Sequence, residues 1–277
     1  MMPVTSMTSE ELLRWYIDAG VDETIAAAPV NRFDSAEPVL LASPQPAPEQ
    51  KGMAEAPSPS PVPAPTSPAS APETSNGAVT DAVHLAKAAD TVDDLRLALE
   101  GFDGCVLKKT ATNLVFTDGN PDAKILFIGE GPGADEDRQG LPFAGDSGKL
   151  LDKMMESVGL DRTTALISNT VFWRPPGKRT PTAHEIAVCM PFVERLIELV
   201  DPKILVALGG PAAKALLAQT AGVGKLRGKW FPYSTPGLAR PIEATVLYHP
   251  AYLLSSPGQK RNTWSDWLGI KRKLQAG

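Results

Sequence analysis

Four short apolar runs, at residues 124–128, 165–171, 204–208 and 244–248, alternate along this chain with longer stretches of helical periodicity. Strands alternating with helices build a parallel sheet covered by helices on both faces. The helical stretches fall at about 147–158, 183–200, 211–218 and 264–274. The first run opens into Gly129-Glu130-Gly131-Pro132-Gly133 and the last into His249-Pro250-Ala251-Tyr252. Ligands of such sheets bind in the crevice beyond the carboxyl ends of the strands. The glutamate and the histidine therefore face one cleft.

Composition divides the chain before that sheet begins. Ten of its 27 prolines lie between Pro44 and Pro72, among Ala, Ser and Glu and almost no large apolar residues. Such a segment cannot bury enough surface to offset its ordering entropy. The expected organisation is a helix and extension over 1–40, a disordered linker over 41–80 and a catalytic domain over 81–277. Residues 1–80 carry 3 Lys/Arg against 10 Asp/Glu, and the remainder 24 against 22. The net −5 thus belongs to the tail, and the near-neutral domain is compatible with nucleic acid if its cations share a face. Thr8 and Glu11 form a capping box ahead of Leu12, Leu13, Tyr16 and Ile17. A lone helix of that length is marginal in water, so it docks on its own domain or on a partner protein. No run of 18 apolar residues exists, and no basic region precedes an apolar stretch at the N-terminus. Cys105 and Cys189 suit a reducing compartment better than a disulfide framework. The expected location is cytoplasmic, with no membrane contact.

Four constellations carry candidate chemistry. In Gly129–Asp137 the alternate glycines allow a sharp turn, while Glu130, Asp135, Glu136 and Asp137 disfavour a phosphate there. The dinucleotide fingerprint is not met, and the plain alternative is a tight βα turn with a solvated acidic rim. Phe143, between turn residues, is either a core plug or a flat wall for a nucleobase. Asn169, near a strand end, is either a satisfied turn residue or a reader of a pyrimidine edge, with acceptor and donors on one group. Arg174, Lys178 and Arg179 follow on a Pro-Pro-Gly loop. Of the three histidines only His249 stands at a strand end; His84 and His184 lie in helical surroundings. Beyond it, a flexible loop ends in Lys260 and Arg261; apolar side chains on such a loop can wedge a duplex while basic ones hold phosphates.

In this order and spacing the pieces resemble the uracil-DNA glycosylase superfamily, most closely family 4. Its GE(A/G)PG, G-x-P-F, N-V/T-V-x-C-R-P-P-G and H-P-A-x-L-L segments correspond to residues 129–133, 140–143, 169–177 and 249–254. The resemblance extends over about 91–274. It implies a three-layer α/β/α sandwich around a four-stranded parallel sheet, and excision of uracil from DNA after the base is flipped into the cleft. It further implies that Glu130 and Gly131 line the base and water site, with Glu136 a further acid. Phe143 stacks on the base, Asn169 reads its edge, and His249 stabilises charge on uracil O2. From their basic loops, Arg174, Lys178, Arg179, Lys260 and Arg261 are the expected DNA contacts, the plainer alternative for each basic pair being a solvated surface.

Two departures qualify the resemblance. Family 4 members usually hold a [4Fe–4S] cluster through four cysteines, and the matching positions here read Phe102, Cys105, Trp173 and Cys189. A cluster needs its full thiolate set, so no cofactor and no metal is expected. Lys178 replaces a common Asn, faintly like the basic loop of a DNA-crosslinking relative, but no histidine follows directly. The alternative is a DNA-binding module that keeps this fold without catalysis. A phosphate-transfer enzyme fits poorly, because no G-x4-GK[ST] loop occurs.

Overall fold

The computed structural model describes residues 74–276. The expected N-terminal helix and most of the expected linker lie outside the described residues. Helix α1 (Thr74–Ala88) begins seven residues before the boundary expected at Asp81. Helix α2 (Val92–Gly101) starts on a capping box in which Thr91 and Asp94 satisfy each other's backbone N–H groups.

The sheet holds β1 (Asp118–Gly119), β2 (Ile125–Gly129), β3 (Leu166–Asn169), β4 (Ile204–Leu208), β5 (Trp230–Tyr233) and β6 (Ile242–Leu247). Their order is β1-β3-β2-β4-β6-β5. The expected four parallel strands form its centre, and the antiparallel strands β1 and β5 extend it at the edges to six. The all-parallel four-stranded expectation is corrected on that point. Strand β1 has two residues, too few to show a period, and β5 contains Pro232, which removes a ladder donor and suits only an edge.

Side chains alternate across this sheet as the pleat requires. Leu126, Ile128, Leu205, Ala207, Ala244 and Val246 pack beneath α1, α2, α5 (Ala183–Val200) and α6 (Gly210–Leu217). Ile125, Phe127, Ile167, Ile204 and Val206 pack beneath α4 (Asp146–Ser157) and α9 (Lys260–Gln275), where Phe127 meets Trp267 at 5.4 Å between centroids. The result is the expected three-layer sandwich. Between β4 and β6 lie α6 and the short α7 (Val223–Leu226); Arg227, just beyond α7, is bonded to Asp266 on α9 at 2.8 Å and is thus not a free surface cation.

From β2 the chain passes to β3 on one side, then crosses to β4 on the other. That reversal opens the sheet at the carboxyl ends of β2 and β4, the position where such sheets bind ligands.

Candidate active site

A cavity of about 340 Å³ opens there, lined among others by Glu130, Phe143, Asn169, Arg174 and His249. The sheet register accounts for the convergence. Gly129 pairs with Asn169, so both strands end level. A Cβ at Gly129 would lie 2.5 Å from Asn169 Oδ1 and 2.8 Å from the Phe143 ring. Only glycine lets those two side chains meet over the strand end. The Thr170 hydroxyl donates to the Glu130 carbonyl at 2.6 Å and fixes the departing loop.

Helix α3 (Ala134–Gln139) follows that loop, and Glu136 in its first turn ties the loops together. Its two carboxylate oxygens accept the N–H groups of Gly133 and Gly145, both at 3.0 Å. It thus braces the site that the sequence reading gave it as a further acid. Asp137, one residue on, is buried and accepts the Thr112 and Asn113 N–H groups at 2.8 and 3.2 Å.

Phe143 is held in the left-handed region at φ 53°, a costly conformation for a bulky residue. The Arg162 guanidinium donates to the Phe143 carbonyl at 2.8 Å and to the Pro142 carbonyl at 3.2 Å. Arg162 is itself fixed by Asp152 at 2.9 Å and by Asp118. Gly148 completes the clamp, because a Cβ there would sit 1.6 Å from the Phe143 carbonyl oxygen. The ring so placed lies 5.4 Å from the His249 imidazole, tilted by 30°. Arg162→Met is expected to lower kcat/KM roughly tenfold, with Tm falling by several degrees, since charged hydrogen bonds contribute about 1.5–3 kcal/mol. Arg162→Lys is expected to recover only part, lacking the fork that spans both carbonyls. Steady-state kinetics and thermal melts check this; unchanged kinetics in a folded Arg162→Met protein defeats the clamp.

His249 precedes helix α8 (Pro250–Ser255), and its Nδ1 accepts the Ala251 N–H at 3.2 Å. An accepting Nδ1 leaves the proton of the neutral ring on Nε2. Burial pushes the imidazole pKa down to about 4, opposed only partly by the Glu136 charge. The ring is therefore a neutral N–H donor at physiological pH. Burial also raises the Glu130 carboxyl. Asn169 is 2% exposed, and its Nδ2 has no hydrogen-bond partner. A buried amide left unpaired costs free energy and points to a ligand with a carbonyl acceptor.

Gly131 lines the pocket, and a Cβ there would meet Val171 Cγ2 at 2.7 Å, so the backbone alone occupies that spot. Arg174, Lys178 and Arg179 also line the cavity. Arg179 forms a fork to Glu185 at 2.8 and 2.6 Å, and that pairing holds the Glu185 carboxyl down to about 2. Its first task is anchoring the loop. Arg174 lies 3.9 Å from Asp137, and Lys178 is exposed at the mouth. Lys260 and Arg261 are exposed at the start of α9 and do not line the cavity.

Phe102, Cys105, Trp173 and Cys189 stand where the resemblance implies cluster ligands. Phe102 and Trp173 are buried, Phe102 against Phe192 at 5.1 Å and Trp173 edge-on to Phe172 at 6.3 Å. Cys105 and Cys189 are buried with their sulfurs 4.0 Å apart. Two thiols beside two packed aromatic rings do not supply the thiolate set of a [4Fe–4S] cluster. The residues do not fit the group.

Sequence reasoning brought Glu130, Gly131, Phe143, Asn169 and His249 to one place. It missed Arg162, Gly148 and the bracing role of Glu136. Arg162 lies in the turn before β3, and no local pattern connects it to a loop 19 residues earlier.

The family model described as "Uracil DNA glycosylase superfamily" matches residues 116–268. The chain is 35% identical over 185 residues to the type-4 uracil-DNA glycosylase of Archaeoglobus fulgidus, covering 65% of this chain and 92% of that protein. It is 39% identical over 151 residues to the type-4 uracil-DNA glycosylase of Thermotoga maritima, covering 54% and 76% respectively. A DNA polymerase of Bacillus phage SP01 is 32% identical over 143 residues, but only 15% of that protein is covered.

Proposed function

Because the chain belongs to the uracil-DNA glycosylase superfamily, we propose that it hydrolyses the N-glycosidic bond of uracil in DNA, and does so without an iron–sulfur cluster. The observation that carries this is the pairing of two unspent donors, Asn169 Nδ2 and His249 Nε2, across one aromatic-walled pocket. A flipped uracil offers carbonyls to both. Phe143 supplies the stacking face, worth about 1–3 kcal/mol per base. Asn169 Nδ2 donates to one carbonyl and fixes the base edge. As the bond breaks, electrons collect on the base, and His249 Nε2–H donates to O2 where that charge develops. Cleavage leaves a cationic sugar. The Glu130 carboxylate, at the same mouth, stabilises it and orients the attacking water. Gly131 leaves no side chain for that task, so it rests on Glu130.

The experiment is excision from a uracil-containing oligonucleotide, read as strand breakage after alkali, with absorbance and iron content measured on the same sample. Breakage without visible absorption or stoichiometric iron is the expected result. Tight DNA binding without breakage would favour a catalytically silent module of this fold. A visible chromophore with about four irons per chain would overturn the cluster-free reading.

A further inference from the structure

We infer that Cys105 and Cys189 are a peroxide-oxidisable dithiol, which closes to a disulfide and staples the segment before β1 to helix α5. Neither residue lines the reaction pocket, so this chemistry is separate from uracil excision. The two sulfurs lie 4.0 Å apart although 84 residues separate them in sequence, and the Cys189 thiol donates to Cys105 Sγ. They are the only cysteines of the chain, so no third thiol competes for either. A disulfide is about 2.05 Å long, and closure therefore asks for a movement of about 2 Å.

The two sides differ in their freedom to make that movement. Cys105 opens a four-residue 3-10 turn (Val106–Lys109) and lies between exposed Asp103 and exposed Val106. Gly104 precedes it, and a glycine backbone yields readily. Cys189 sits mid-way along α5, flanked by buried Val188 and Phe192. Oxidation thus draws the turn towards the helix. A buried thiol is inert while it stays buried, but a short turn at the surface opens locally at small cost. A peroxide is small and neutral enough to enter then. The Cys105 thiolate attacks it: an S–O bond forms, the O–O bond breaks, and the first water leaves. The Cys189 sulfur next attacks Cys105 Sγ, so that an S–S bond forms, the S–O bond breaks and a second water departs with the thiol proton. Two thiols have then lost two electrons and two protons to one peroxide. The bond joins two supports of the reaction pocket. The segment after Cys105 runs on to Thr112 and Asn113, which hold Asp137, while α5 carries Glu185, which anchors Arg179.

The test exposes the reduced full-length protein to hydrogen peroxide and then removes the oxidant. Intact mass is expected to fall by two hydrogen atoms, with one cross-linked peptide containing Cys105 and Cys189. Closing so long a loop is expected to raise Tm by roughly 5–10 °C, and dithiothreitol is expected to reverse both changes. Excision of uracil is expected to be equal in the two forms before heating and to survive heating better in the oxidised one. Cys189→Ala leaves Cys105 without a resolving thiol, so the same exposure is expected to carry Cys105 on to the sulfinic acid. The wild-type measurements stand without that variant. Two thiols that stay free, independent oxidation of either one, or a disulfide that lowers Tm would each overturn the staple. So would a loss of excision on oxidation that dithiothreitol restores, which marks an inhibitory switch. A protein that never excises uracil but closes the bond and melts higher would sink the glycosylase reading and leave the staple standing.

Discussion

His249→Ala is expected to lower kcat for uracil excision by about 10²–10³-fold, the usual cost of removing one donor aimed at developing negative charge. Affinity for DNA should stay nearly constant, because the donor strengthens its bond only as the base departs. The tautomer adds a second expectation. With Nδ1 accepting the Ala251 N–H and burial holding the pKa near 4, the working form is the neutral ring. Protonation requires the ring to give up that bond. The contribution of His249 to kcat/KM should therefore be flat above about pH 5 and change only as pH falls towards 4. A histidine-dependent profile with a midpoint near 6.5, active in the protonated form, would contradict the neutral-donor assignment. Stability follows the same sign. The folded pKa lies below the unfolded value of 6.5, so the unfolded chain binds more protons between the two. The stability contributed by the neutral ring is full above about 6.5 and is lost as pH falls through 4. His249→Ala should flatten that part of a pH–stability curve.

What could be read from the sequence was whatever a local period or cap encodes. The expected bounds of β4 and α5 coincide with the observed Ile204–Leu208 and Ala183–Val200. The first is a continuous apolar run, and the second starts on the Thr182–Glu185 capping box and ends at Asp201 in the left-handed region. Strand ends then placed Glu130, Asn169 and His249 in one cleft, since parallel topology leaves little freedom about where strands finish. Features made by contacts distant in sequence stayed hidden. The clamp on Phe143 joins Asp118, Pro142, Gly148 and Arg162, and nothing at any one of these positions signals the others. Glu136 read as an acid in an acidic loop; its two backbone partners make it a brace. Edge strand β5 was masked by Pro232, although Trp230, Phe231 and Tyr233 are good strand formers.

Asn169→Ala separates function from stability most sharply. Most buried polar side chains are bonded within the protein, and their removal leaves partners unsatisfied. Asn169 is the reverse case: its Nδ2 is buried with no partner, so the folded protein already bears the cost of desolvating it. Alanine removes that cost and leaves a small void beside Gly129. The two effects oppose, so Tm should change by no more than a few degrees in either direction. Excision should fall by about 10²–10³-fold in kcat/KM, because the base edge loses its fixed donor. Asn169→Asp puts an acceptor opposite the uracil carbonyl and should lose at least as much. DNA affinity, set mainly by backbone contacts and their salt dependence, should change far less than turnover. Parallel melts, binding curves and kinetics on the same preparations decide the matter. An activity loss that tracks a large drop in Tm would make Asn169 a structural residue. Equal losses in binding and turnover would remove its base-reading role. Strained or unpaired groups persist where function holds them against stability, and a stable but inactive Asn169→Ala protein is the outcome that places this amide among them.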